Sequence, residues 1–288
     1  MPQKMIKYKK GEIHIAIKQF KRDKSQNSNK LHLDKYYTPK DLAKYCINKT
    51  YEVIGRENIS EIIEPSAGDG AFSNQIPGCL AYDIEPENEN IKKQDYLELD
   101  ISYKEGRLII GNPPYGARNT LAVQFYKKSI DIADYIAFIL PISQLNNNQQ
   151  MYEFDLIHSE DLGLHTYTDR EVHCCFNIYK RPANKILNKK PKYKLTDVEI
   201  IEVRLGNKAV EKYDFRICAW GSIGKEVEYD NQYAKEFCIV IHNNQLKSKI
   251  IQLIKNADWK SIYPMTSMPS LLQWQVYEYL LKNIPELK

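Results

Sequence analysis

Asn112-Pro113-Pro114-Tyr115 stands directly behind the apolar run RLIIG. Two prolines take two backbone donors out of this turn and stiffen it. What the turn presents is a row of acceptors, its carbonyls and the Asn112 side-chain oxygen. Acceptors of this kind suit a planar amino group conjugated to a purine ring, whose lone pair is tied up and whose nitrogen is a poor nucleophile. Gripping both N–H hydrogens favours a tetrahedral nitrogen and frees the lone pair for in-line attack on a sulfonium methyl. No carboxylate base is needed, because attack acidifies the nitrogen and its proton leaves afterwards. Tyr115 adds a ring face on which a base drawn out of a helix can stack.

A second constellation lies upstream. Residues 62–73 read IIEPSAGDGAFS, a strand running into a glycine turn. Gly68 and Gly70 let backbone amides approach a ligand, and the acid at the strand end, Glu64, can bind a hydroxyl or an ammonium. The turn is not the GxGxxG fingerprint, and GSIGK at 221–225 lacks the spacing of a phosphate-binding loop. The next apolar run ends in AYDIEP, where Asp83 can accept both hydroxyls of a ribose. The third unit, QDYL, offers Asp95 to the amino hydrogens of an adenine, with Tyr96 or Ile84 against the ring face. Three acids thus fall at three successive strand ends.

These residues need a scaffold, and the hydrophobic pattern describes one. Short apolar runs at 59–64, 79–84, 107–111 and 135–140 are separated by stretches read as helical, the pattern of a parallel sheet covered on both faces. Runs near 155–158 and 172–179 complete it as an antiparallel edge pair. TPKDLAKYCINKTYEVI, from Thr38, has the start and spacing of a capped helix. The 288 residues, 43% hydrophobic and 27% charged, suffice for a catalytic domain and a small appended one. No apolar run approaches the roughly 20 residues that span a bilayer, and the N-terminus lacks the apolar core of a secretory signal. The six cysteines include no CxxC pair and read as reduced packing residues of a cytoplasmic protein, with no metal site expected. The net charge of +4 is unevenly spread: residues 1–40 hold eleven Lys/Arg against three acids, and residues 180–194 hold seven against none. Such patches fit phosphate contacts. The expected organisation is a basic arm over 1–30, with one candidate strand at 12–20, a catalytic domain over 31–182 and a small α+β domain over 183–288.

Taken together, IIEPSAGDGAFS, YDIEP, QDYL and NPPY, in that order and spacing, resemble the adenine-N6 DNA methyltransferases with an NPPY motif. TPKDLAKY ahead of them resembles the cofactor-contacting helix of the gamma-ordered class. The resemblance covers roughly residues 33–182. It implies an α/β, Rossmann-like methyltransferase domain with a mainly parallel seven-stranded sheet and a flipped adenine as acceptor. It implies S-adenosyl-L-methionine as cofactor, held by Tyr37, Thr38, Glu64, Ser66, Gly68, Asp83, Ile84, Asp95, Tyr96, Asn112 and Pro114. Asn112 and Pro113 fall on the pair that holds the amino group and, with Pro114, make up the catalytic turn with Tyr115 as stacking aromatic. A second stacking aromatic is expected on the late strand HCCFNIYKRP, where Tyr179 is chosen over Phe176.

Double-stranded DNA is the implied partner, joined by a cognate restriction endonuclease if the enzyme belongs to a restriction pair; a monomer or a dimer would serve. The motif grips any planar amino group, so an RNA adenine or a protein glutamine stays open as acceptor, as does an inactive nucleic-acid-binding subunit. After residue 182, Arg204, Lys208, Arg216, Trp220, Lys225 and the run Asn243-Asn244-Gln245 are the candidates for DNA contact. The stretch RICAWGSIGK is read as a hairpin.

Overall fold

The chain was described from a computed structural model covering residues 37–167, 170–206, 210–229, 232–264 and 269–288. The basic arm, the strand expected at 12–20 and Lys208 lie outside the described residues.

Strands β4 (Arg107–Gly111) and β5 (Tyr135–Pro141) are buried at every position, as continuous apolar runs require at the centre of a parallel sheet. Around them form β1 (Glu61–Glu64), β2 (Leu80–Asp83), β3 (Lys92–Lys93), β6 (Asp155–Tyr167) and β7 (Arg170–Lys180). The seven strands run in the order β3-β2-β1-β4-β5-β7-β6. β1 pairs in parallel with β2 and β4, β2 with β3, and β4 with β5. β7 is antiparallel to both β5 and β6. The fold is therefore the expected α/β one, a mainly parallel seven-stranded sheet closed by an antiparallel pair.

Strand alternation sorts the apolar side chains onto two faces. Ile62, Leu108, Ile110, Ala137, Ile139 and Phe176 pack with Leu42, Ala43, Cys46 and Ile47 of α1 (Lys40–Ile54). Ile63, Ile109, Ile136, Phe138 and Tyr179 pack with Ala122, Phe125, Tyr126 and Ile130 of α2 (Thr120–Ile132). The helical link expected between β1 and β2 is absent: one three-residue 3-10 turn, Ser73–Gln75, stands there. Pro65, Gly68, Gly70, Pro77 and Gly78 punctuate that link too densely for an α-helix. The start of α1 also differs from expectation. Pro39 is its N-cap, and a proline has no side-chain acceptor to cap with, while Thr38 stands one residue outside that position.

The second sheet has the antiparallel order β8-β10-β9, from β8 (Val198–Arg204), β9 (Phe215–Cys218) and β10 (Lys235–Ile241). It has its own core, in which Ile200, Ile217, Phe237 and Ile239 meet Ile250 and Ile254 of α3 (Lys247–Lys255), Trp259 of α4 (Trp259–Ile262) and Leu280 of α5 (Gln273–Asn283). Between the sheets runs an exposed segment without regular structure, pinned where the Asn188 N–H donates to Glu153 O at 2.9 Å and Asn188 Nδ2 to Asp155 Oδ1 at 2.7 Å. No helix among the described residues is long and apolar enough to cross a membrane.

Candidate active site

Strand order decides where the site falls. The chain lays β1, β2 and β3 outward on one side, then returns to put β4 on the other flank of β1. The loops leaving the carboxyl ends of β1 and β4 diverge at this reversal, which opens a crevice there. An open cleft occupies the place, lined by Tyr37, Thr38, Glu64, Ser66, Ala67, Gly68, Asp69, Ala71 and Asn112. Residues far apart in sequence thereby share one cavity.

The cleft is held by bonds between its own loops. Ser66 Oγ donates to the Asn112 carbonyl at 3.2 Å, joining the β1 loop to the β4 loop. Asn112 Nδ2 donates to Thr38 Oγ1 at 3.2 Å, tying the β4 loop to the segment that enters α1. That contact fixes the amide and leaves its other end unmatched: Asn112 Oδ1 is shielded from solvent and has no hydrogen-bond partner. A buried acceptor in this state costs about 1–3 kcal/mol, so its persistence at a cleft wall points to a donor that arrives with a ligand.

Glu64 supplies the charge. It is 2% exposed, and one oxygen accepts the Ser73 N–H at 2.8 Å. Burial raises its carboxyl to about 7, against the lowering effect of the Ser73 and Phe72 bonds. Gly68 and Gly70 stand at φ +53° and +85°, where side chains are strained, and a Cβ at Gly70 would lie 2.6 Å from Asn74 Nδ2. The Gly68 N–H is not free for a ligand; it donates to Asp83 Oδ2 at 2.8 Å, while Asp83 Oδ1 takes the Glu85 N–H. A carboxylate accepts about four hydrogen bonds, so Asp83 keeps capacity at the edge of the cleft. Ile84, beside it, is 42% exposed. Asp95 Oδ1 accepts the Leu97 N–H and caps a short turn. Tyr37 covers the glycine turn, its ring 3.6 Å from where a Gly68 Cβ would sit and its hydroxyl bonded to Glu87.

Among the described residues the lining bears two carboxylates, Glu64 and Asp69, and no cation. No α-helix follows the glycine turn, so the N-terminal helix dipole that holds a dinucleotide pyrophosphate is missing. The cleft fits a ligand with positive charge and hydroxyls better than one with phosphates.

No protein-family model and no curated protein matches the sequence. Among solved structures, the chain is similar to a candidate RNA methyltransferase from Pyrococcus horikoshii, at 14% identity over 51% of this chain and 87% of the other, with a TM-score of 0.42. A Thermoplasma acidophilum protein matches at 18% identity over 52% and 91%, with a TM-score of 0.39. The methyltransferase subunit of a type I restriction-modification system from Streptococcus thermophilus matches at 14% identity over 88% of this chain and 59% of that one, with a TM-score of 0.37. Likeness at this level carries nothing about activity; the residues of the cleft have to.

Several expected site residues lie elsewhere. Tyr96 is 1% exposed, bonded to Ser129 and stacked on Phe125, so it packs in the core and has no face for a purine. Tyr179 does not serve as a stacking aromatic here: it and Phe176 are fully buried. β7 is an interior strand, so alternation sends Phe176 into one covered face and Tyr179 into the other, against Tyr126. Tyr115 is half-buried behind Asn112, with Pro113 buried and its hydroxyl 3.5 Å from Cys174 Sγ. In the second sheet Arg216 is 2% exposed against Glu236, at 3.1 Å, a structural pair unable to reach DNA. Arg204 is exposed but paired with Glu202. RICAWGSIGK does form a tight hairpin, with Ile217 opposite Glu226, Trp220 45% exposed and Lys225 exposed. Asn243 turns the chain into α3 by accepting the Gln245 N–H, and Asn244 and Gln245 are exposed. Asp69 was legible within the SAGDG turn but had no feature to set it apart from a solvated turn residue.

Proposed function

We propose that this chain is an S-adenosyl-L-methionine-dependent methyltransferase that acts on the N6 amino group of adenine in DNA. The observation that carries this reading is the shielded, unpartnered Asn112 Oδ1 in a cleft whose charged lining is acidic. S-adenosyl-L-methionine, when bound, supplies an electrophilic methyl on a sulfonium and presents an ammonium and two ribose hydroxyls. Glu64 is the partner for the ammonium and Asp83 for the hydroxyls, with Ile84 against the adenine ring. Tyr37, Thr38 and Ser66 shape the wall between them.

Asn112 Oδ1 and the carbonyl of the Pro113-Pro114 turn accept the hydrogens of the target amino group and fix its nitrogen in line. Tyr115, packed inward with its hydroxyl toward Cys174, braces the turn that carries these acceptors. No side chain has to remove a proton before attack, and water takes it afterwards. DNA is favoured by the resemblance of the ordered motifs and by the exposed lysines 185, 189, 190, 192 and 194 between the sheets, which suit a polyanion better than a protein glutamine.

The test is nucleoside analysis of duplex DNA and of RNA after incubation with labelled cofactor. N6-methyladenine is expected in DNA with the native chain and roughly a hundred- to a thousandfold less with Asn112→Ala, a loss far larger than any change in cofactor affinity read by calorimetry. Full turnover by Asn112→Ala would remove the mechanism; label in RNA alone would move the acceptor.

A further inference from the structure

The loop that follows the Asn112 turn has a feature the methyl-transfer chemistry leaves unused. Residues 116–120 leave Tyr115 and return to it, since the Leu121 N–H donates back to the Tyr115 carbonyl at 3.1 Å. Arg118 stands at the tip of this closed loop. Its backbone is left-handed, φ 55° and ψ 35°, and Asn119 follows at φ 63°. Arginine has no intrinsic preference for that conformation, and two such residues in succession persist only where their surroundings impose them.

The surroundings are a chain of amides that runs inward from the half-buried Gln150 to the buried Gln144. Gln150 Nε2 donates to the Arg118 carbonyl at 3.4 Å, and Gln144 Nε2 donates to Gln150 Oε1 at 2.9 Å. Gln144, 2% exposed, in turn has its carbonyl held by Asn177 Nδ2 of β7 at 2.8 Å. The loop after β5 contributes a further left-handed residue, Asn146 at φ 50°. Three of the four non-glycine residues with positive φ among the described residues therefore lie in two neighbouring loops at the carboxyl ends of β4 and β5. The Arg118 backbone is anchored to the sheet, while its side chain is exposed with no ion pair or hydrogen bond among the described residues.

We propose that Arg118 is the phosphate clamp of the target nucleotide, its guanidinium holding the phosphodiester that flanks the base presented to Asn112. The inference rests on the methyltransferase reading and deepens it. A base drawn from a helix brings a phosphodiester on either side, and the cleft it approaches carries Glu64 and Asp69, with Asp83 beside them. A cation on the loop that closes back onto Tyr115 offsets that repulsion. The guanidinium fork matches a phosphate with two parallel N–H···O bonds, and its position three residues beyond Tyr115 ties it to the strand end that holds the amino group. Arg118 is a positioning residue, acting on the phosphate and not on the reacting nitrogen.

The experiment is a chemical double-mutant cycle on a duplex oligonucleotide carrying the adenine site methylated by the native chain. Arg118→Gln and Arg118→Lys are compared with the native protein on the natural duplex and on duplexes with a single neutral methylphosphonate at either phosphate flanking the target. Arg118→Gln is expected to lower kcat/KM on the order of 10- to 100-fold, Arg118→Lys less, and both should leave S-adenosyl-L-methionine affinity unchanged by calorimetry, which also reports folding. One methylphosphonate should cost the native protein a similar factor and cost Arg118→Gln nothing further. Additive losses, or full turnover by Arg118→Gln, overturn the clamp and leave the methyltransferase reading standing. Absence of any methyl transfer by the native chain overturns both.

Discussion

A shielded amide oxygen without a partner and a buried carboxylate without a cation each weigh against folding by a few kcal/mol, and among the described residues this cleft keeps one of each, Asn112 and Glu64. The Glu64 carboxyl, raised by burial to about 7 from an ordinary 4.5, gives a pH dependence whose sign is fixed. Below pH 4.5 both folded and unfolded chains hold the proton, and the site costs nothing. Between 4.5 and 7 the unfolded chain releases it first, so stability falls as pH rises, reaching a penalty of about 3 kcal/mol above 7. Glu64→Gln should therefore be more stable than the native chain by roughly 2–3 kcal/mol at pH 8 and indistinguishable at pH 4, as read from urea denaturation. A cationic ligand reverses the preference, because an ammonium beside Glu64 favours the carboxylate. Cofactor affinity should then rise about tenfold per pH unit up to 7 and level off above it, measured by titration calorimetry across that range. A flat profile would take the ammonium away from Glu64.

At the scale of elements, the same strands that present the cleft at their carboxyl ends are locked at their amino ends by Arg107. Its Nε donates to Glu61 Oε2 at 2.6 Å, and its Nη1 to the carbonyls of Ser102 and Ile132 at 2.6 and 2.9 Å. Partial burial would raise the Glu61 carboxyl, but Lys104 and Arg107 outweigh it and hold it below the usual range. Arg107→Ala strands these acceptors and should destabilise the chain by about 3 kcal/mol in chemical denaturation, with cofactor affinity of the folded protein unchanged because the lock and the cleft sit at opposite strand ends. Loss of affinity without loss of stability would contradict that separation. Arg107 shows what a sequence conceals: a charged residue at the head of an apolar run reads as a solvated strand end. β4 and β5 were legible because, Arg107 aside, they are continuous apolar runs, and the site turns because Pro and Gly mark them. Strand order decides the fate of Tyr179, since an aromatic on an alternating strand is open to a ligand at an edge and buried inside, and β7 is an interior strand. The link after β1 was read as a helix from the βαβ pattern although its own prolines and glycines oppose one.

At the scale of the molecule, two sheets with separate cores are joined by an exposed strap, and its charge is the remaining argument about the acceptor. Lys185, Lys189, Lys190, Lys192 and Lys194 are all exposed, none is in an ion pair among the described residues, and no acid falls between residues 180 and 194. The sequence disclosed the cluster; it took the structure to show that the segment lies open and is fastened at Asn188, while Arg216, equally basic on paper, is spent inside the second core. Exposed lysines do little for stability, so the triple change Lys189→Ala, Lys190→Ala, Lys192→Ala should move it by well under 1 kcal/mol per site. If the strap rests on phosphates, each lost contact removes about 0.9 from the slope of log affinity against log salt. The triple variant should then bind a duplex more weakly at low salt and show a slope shallower by about 2–3, measured by fluorescence anisotropy over a salt series. The two proteins should converge in affinity as salt rises, because what the lysines supply is counterion release and salt removes it. An unchanged slope would assign the polyanion contact to other surfaces and leave the strap as a solvated connection between the sheets.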